Sequence, residues 1–263
     1  MLFDYVDRLA IIHLPERDDR LRALTRELSG IGIDIRSVKV DVPRPPRPET
    51  PGGFTSRGVH GNFLSHLEII ENAYRDGLDT VWVLEDDAIF SRTFQSRQTG
   101  IATCLRENDW DLCFIGHSVW KELPDSPTGL LRFSGPFVWA HSYLVHRRIM
   151  PRLIEYLRHS MEREPGDPQG GKIYIDAAFV FFRQFNPDVI CIVSSPCLSI
   201  QKGSSSSLSP GRYDRHSGAR VLLNLIRSLR DELWRRGRTQ VNGPQNLLDK
   251  NFKLTSPPAQ VWP

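Results

Sequence analysis

Cysteine is scarce, with four residues in a chain of 263, Cys104, Cys113, Cys191 and Cys197. Their spacing matches neither a zinc site nor a redox motif. They sit mostly in apolar runs such as Leu112-Cys113-Phe114-Ile115, where cysteine behaves as a small hydrophobe, so reduced core thiols are expected over a Cys191–Cys197 bridge. Long apolar runs are missing too; nothing approaches the roughly 20 residues a spanning helix needs. Asp4, Asp7 and Arg8 precede any long apolar stretch, no signal peptide is read, and the expected location is cytoplasmic. Charge of one sign is also absent: 34 Lys and Arg stand against 31 Asp and Glu, a net charge of +3. That balance excludes nucleic acid as the main partner, whereas one local cationic patch suffices for a phosphorylated small molecule. Internal repeats are not visible. What the chain does have is 40% hydrophobic and 25% charged residues, which excludes wholesale disorder, collagen and coiled coil.

Residues Leu9 to Leu14 form a short apolar run stopped by Pro15, a predicted buried strand. Leu21, Leu24 and Leu28 then recur at helical spacing up to Gly30. Ile31 to Val40 is predicted as a second strand, followed by a proline-rich, extended surface loop from Pro43 to Pro51. A helix over Gly58 to Arg75 carries Phe63, Leu67, Ile70 and Tyr74 on one face and ends at Asp76-Gly77. Thr80-Val81-Trp82-Val83-Leu84 is continuously apolar, as strands buried on both faces are. Further strands are predicted at Asp111 to Ile115, Val138 to Val145 and Val189 to Val193, with helices from Arg147 to about Met161 and from Tyr174 to Phe185. This alternation predicts an α/β fold, a doubly wound, mostly parallel sheet with flanking helices, whose ligands sit beyond the carboxyl ends of the strands. The expected division is a catalytic domain over residues 1–210 and a C-terminal helical extension over 211–263. In the extension, the amphipathic stretch 221–234 either packs on the domain or lies on an anionic membrane surface as a peripheral contact.

Glu85-Asp86-Asp87 follows the apolar strand directly. Three adjacent carboxylates repel one another, and a shared Mg²⁺ or Mn²⁺ that also grips a diphosphate is expected to relieve that repulsion. An acidic turn capping a following helix would use the same residues without any metal.

Val83-Leu84-Glu85-Asp86-Asp87-Ala88 resembles the Glu-Asp-Asp signature of glycosyltransferase family 25, which includes lipopolysaccharide and collagen galactosyltransferases. Other fragments agree with that family in order. They are Ile11-Ile12-His13-Leu14 with Arg17 and Asp19-Arg20, then Val40-Asp41, Gly58, Gly61 and Ser65-His66. Ser142-Tyr143-Leu144-Val145, Asp176, and Pro196-Cys197-Leu198 with Gln201 and Ser204 complete the series. His13, Val59 and Asn62 depart from the family pattern. The resemblance spans about Ala10 to Ser207 and implies a GT-A-type fold that transfers a hexose, galactose or glucose, from a UDP-sugar with inversion. It implies metal ligation by Glu85 and Asp87, a ribose contact by Asp86, and nucleotide contacts by Leu14, Arg17, Arg20, Asp41, Gln201 and Ser204. Asp176 is the expected base, although an aspartate in a first helical turn is also favoured by the helix dipole. His66 reads as shaping the catalytic site. The acceptor would be a glycan, a lipid-linked sugar or a peptide. The competing readings are a binding protein without turnover and another Mg²⁺-dependent phosphate-ester enzyme. An aspartyl phosphatase would want aspartates where His13-Leu14-Pro15 stands.

Overall fold

A computed structural model describes residues 1–119, 123–202, 231–235 and 260–261. Its strands are β1 (Arg8–Ile12), β2 (Val40–Asp41), β3 (Thr80–Glu85), β4 (Ala88–Phe90), β5 (Leu112–Ser118), β6 (Leu130–Arg132), β7 (Val138–His146), β8 (Cys191–Ser194), β9 (Ser199–Gln201) and β10 (Gln260–Val261). The α-helices are α1 (Leu2–Tyr5), α2 (Asp18–Gly30), α3 (Arg57–Arg75), α4 (Phe94–Glu107), α5 (Met150–Glu162) and α6 (Ile175–Phe185). One sheet runs in the order β10-β6-β8-β5-β7-β3-β1-β2, with β9 pairing to β4 and β5 at one side. β2, β1 and β3 are mutually parallel, β5 and β8 are parallel, and β7 lies antiparallel between β3 and β5. This is the predicted α/β sheet flanked by helices, with β7 reversed at its centre.

The continuous apolar run of β3 has two cores to fill. Val81 and Val83 point into a core with Phe63, Leu67 and Ile70 of α3, Leu153 of α5 and Phe179 of α6. Trp82 and Leu84 point the other way, against Leu24 and Leu28 of α2 and Phe94 and Ile101 of α4. Alternation of side chains along a strand makes this division, and it governs where the following carboxylates go. Helix α3 begins where the Ser56 side chain accepts the Val59 N–H at 3.1 Å. It ends at Gly77, whose φ of 77° suits a residue without Cβ.

Two expectations need correction. Ile31 to Val40 is not a strand: only Val40–Asp41 pairs with β1. Gly32 turns the chain at φ 85°, and Asp34 accepts the Arg36 N–H at 3.0 Å, local bonds that compete with a ladder. The proline-rich loop is less superficial than predicted, because Pro45 is buried. With Pro43 and Pro46 it roofs a cleft floored by Ile12, His13, Ser65, Glu68 and Ile69. β4 lies between the acidic triplet and the next helix, α4, and pairs with β9. All four cysteines are free thiols, as expected.

Of the C-terminal extension, Trp234 is buried against Ile89 and Ile200, and β10 pairs with β6. The packing alternative for 221–234 therefore holds at Trp234, and residues 221–230 lie outside the described ones. No helix among the described residues is long and apolar enough to cross a membrane.

Gly116 of β5 is required by contact rather than by φ. A Cβ there would lie 2.2 Å from Nε2 of His141 on β7. Gly116→Ala is expected to destabilise the protein by about 1–3 kcal/mol through overpacking. The shift in the urea midpoint of the variant against wild type measures this.

Candidate active site

β3 delivers the triplet to the carboxyl end of the sheet. Continuing the alternation, Glu85 emerges on the α3 side with Val83, and Asp86 on the α2 side with Leu84. Adjacent in sequence, the two carboxylates thus meet different partners. Glu85 Oε1 accepts from Asn62 Nδ2 and His66 Nε2, both at 3.1 Å, and Oε2 accepts from Gln201 Nε2 at 2.9 Å. Asn62 and His66 are one helical turn apart on α3, which brings both over the same group. The Tyr143 hydroxyl lies 2.7 Å from His66 Nδ1. Burial pushes the Tyr143 hydroxyl well above its ordinary pKa, and the other ring nitrogen of His66, Nε2, faces Glu85. Burial raises the Glu85 pKa, but the bond and charge of His66 and the Asn62 amide outweigh it and hold the carboxyl below its usual range.

On the other side, Asp86 is 7% exposed. Its Oδ2 meets His13 Nδ1 at 2.9 Å and its Oδ1 accepts from Arg20 Nη1 at 3.0 Å. The first turn of α2 positions Arg20, which also reaches Asp87 Oδ2 at 3.4 Å. The triplet is therefore relieved by side-chain separation together with Arg20, His13 and His66. These bonds account for the close approach of the three carboxylates within the chain itself.

Asp87 differs from its neighbours. Its side chain is 16% exposed, and Oδ1 is buried without a hydrogen-bond partner among the described residues. Burial, with the Glu85 charge beside it, pushes its pKa up to about 7. A carboxylate offers about four lone-pair sites. Glu85 has filled three and Asp86 two, so Asp87 is the open one. Among the described residues no group of three or more His, Cys, Asp or Glu converges on a cation. Glu85, expected as a ligand, accepts three internal hydrogen bonds.

Other predicted site residues scatter. Arg17 pairs with Asp19 at 3.0 and 3.1 Å, and Leu14 is half-buried at the turn before α2. Asp41 is exposed, level with Ala10 on β1 and two strands from the triplet, roughly 10 Å across the sheet. Gln201 reaches the site through Glu85, and Ser204 lies outside the described residues. Asp176 does lie near Glu85, whose charge helps raise its pKa, after burial as the main cause. Both its oxygens accept backbone N–H groups, from Trp139 at 3.0 Å and Ala177 at 2.8 Å. His141 was not anticipated from sequence. It is fully buried beside Glu85, and burial drives its pKa down to about 4. Asn62, noticed only as a departure from the family pattern, proves to be a direct partner of Glu85.

Fold and site together describe an α/β protein with a carboxylate cluster at the end of a central strand, the arrangement implied by the glycosyltransferase resemblance. Its curated homologues are glycosyltransferase 25 family members. Human inactive glycosyltransferase 25 family member 3 is 28% identical over 156 residues, 54% of this chain and 26% of that protein. Xenopus laevis procollagen galactosyltransferase 1-B is 27% identical over 170 residues, 56% and 28% of the two chains. The match thus spans little more than a quarter of each relative. No protein-family model matches the chain. Among solved structures, a glycosyltransferase involved in glycosylation of the major capsid of PBCV-1 aligns with a TM-score of 0.44 and 12% identity, over 84% of this chain and 99% of that one.

Replacing Glu85 by Gln turns an acceptor-only group into one that presents an NH₂ to surrounding donors. Glu85→Gln is expected to cost about 1–3 kcal/mol, because at least one buried N–H loses its acceptor. Chemical denaturation measures the loss, and an unchanged midpoint would refute the described bonding.

Proposed function

We propose that this protein transfers a hexose, galactose or glucose, from a UDP-sugar to an acceptor hydroxyl on a glycan, lipid-linked sugar or peptide. The observation carrying this reading is the open, partly buried carboxylate of Asp87 at the carboxyl end of β3, where such sheets bind ligands. The Xenopus relative, a procollagen galactosyltransferase, supports it by name, whereas the human relative is named inactive.

A single open carboxylate suits Mg²⁺ or Mn²⁺ held by one or two carboxylates together with substrate phosphates, and does not suit a cage built wholly of protein. Asp87 would hold such an ion, which would supply neutralising charge to the diphosphate leaving group. Asp87 is also the group whose electrostatic cost falls on binding, since its pKa is raised by burial and by Glu85. Arg20, against Asp86 and Asp87, holds the two carboxylates on the α2 side. The cleft under the proline loop reaches His13, and so adjoins the Asp86 side of the cluster. Transfer with inversion needs a base for the acceptor hydroxyl. Asp176, committed to two backbone N–H groups, is given a different role below.

A second reading is binding of the nucleotide sugar without turnover. It is favoured by the internal bonding of Glu85 and Asp176. Release of UDP from UDP-galactose or UDP-glucose in Mn²⁺ separates the two, since the binding protein would hold the donor intact. Asp87→Ala is expected to weaken Mn²⁺-dependent UDP binding at least about tenfold, as loss of a metal-binding group does. EDTA should do the same to wild type. Calorimetric titration showing UDP affinity indifferent to Mn²⁺ and to Asp87→Ala would overturn the proposed site.

A further inference from the structure

Trp139 is the only non-glycine described residue with positive φ, at 72°. A side chain with a Cβ adopts that conformation at a steric cost, so neighbouring structure must hold it there. Two features do. The Trp139 N–H donates to Oδ2 of Asp176, which α6 presents from its first turn and anchors through the Ala177 N–H. In addition, β7 bulges here: between the pairs Ser118↔Val138 and Gly116↔Ser142, β5 advances two residues while β7 advances four. Bulges of this kind re-aim a side chain at the rim of a sheet. Trp139 is packed against the cluster of Ile89, Ile200 and Trp234, and the strands of the two isoleucines adjoin Asp87 and hold Gln201; the indole stands edge-on to His141 at 6.2 Å between ring centroids. It remains half-buried. β7 is the antiparallel neighbour of β3, with Leu84 opposite Ser142, so the bulge lies alongside the triplet.

We infer that Asp176 is a positioning residue that fixes Trp139, and that the Trp139 indole is a platform for the apolar face of the donor hexose. The inference rests on the proposed donor site. A hexose joined to a diphosphate at Asp87 lies one bond from the phosphate, next to the bulge. An indole presents a flat, rigid apolar surface to the C–H face of a pyranose and keeps its N–H free for a hydroxyl. Asp176 acts through Trp139 and takes no proton from the acceptor.

Titrating UDP and UDP-galactose in Mn²⁺ into wild type, Trp139→Gly, Trp139→Phe, Asp176→Asn and the double variant Trp139→Gly/Asp176→Asn tests this. Trp139→Gly should bind UDP-galactose on the order of tenfold more weakly, as loss of an aromatic anchor does. UDP itself should bind within about twofold of wild type, which also reports that the variants fold. Trp139→Phe should recover part of the loss. Asp176→Asn should weaken UDP-galactose binding in wild type and add nothing in the Trp139→Gly background, since the indole it positions is gone. Additive losses, or UDP-galactose binding unmoved by Trp139→Gly, would overturn the inference. So would a loss of UDP-galactose turnover in Asp176→Asn that is equally large with and without the indole, because that is the signature of a base. If wild type binds no UDP, the donor site itself falls, and this inference with it.

Discussion

The carboxylate of Glu85 is the charge around which the rest is arranged. It closes β3 at the point where two apolar cores give way to the sheet rim, largely withdrawn from water. An ionised group in that position is tolerated only when paired and fully hydrogen-bonded. Three N–H donors meet that demand, and they come from α3 and β9, elements far apart in sequence. The bond network therefore stitches helix α3, central strand β3 and edge strand β9 together at one oxygen pair. Tyr143 extends it: its hydroxyl fixes the His66 ring, and its own ring packs on Phe114 and Phe179 in the core. The polar network of the site and the apolar core on the α3 side are continuous.

That fixed negative charge sets the electrostatics of its neighbours. It adds to burial in raising Asp87 and Asp176, and it opposes the burial that depresses His141. On the opposite side of the strand, Asp86 pairs with Arg20 and meets His13. The period of two along β3 thus does more than separate two hydrophobic faces. It sorts three consecutive carboxylates into one held among donors from α3 and β9, one held by His13 just after β1 and Arg20 of α2, and one left open.

Much of this was legible in the sequence where the signal was local. The unbroken run Thr80–Leu84, the heptad-like face of α3 and the leucines of α2 each placed an element correctly, because burial on a strand or helix face imposes a period. The triplet after β3 marked the site for the same reason. Ile31–Val40 misled because its alternation outweighed the turn chemistry of Gly32 and Asp34. β6 and β9, three residues each, are too short to carry a period. Partnerships across the fold were not legible at all. Gln201 meets Glu85 from 116 residues away, and the bulge that turns Trp139 depends on a register mismatch with β5. A sequence shows which residues can ionise, but not how many of their lone pairs the fold will fill.

That filling is what separates support from reagent here. A carboxylate whose oxygens already accept backbone or side-chain N–H groups holds structure, and drawing it into another bond means breaking one of those. Glu85 and Asp176 are of this kind, one clasping α3 to β9, the other holding a backbone turned to positive φ. Asp87 lies two residues along from Glu85 yet keeps one oxygen unmet, and the charge of Glu85 makes its own ionisation costly. A positive charge placed there relieves both burdens at once, and only there does the cluster have something to gain from a ligand.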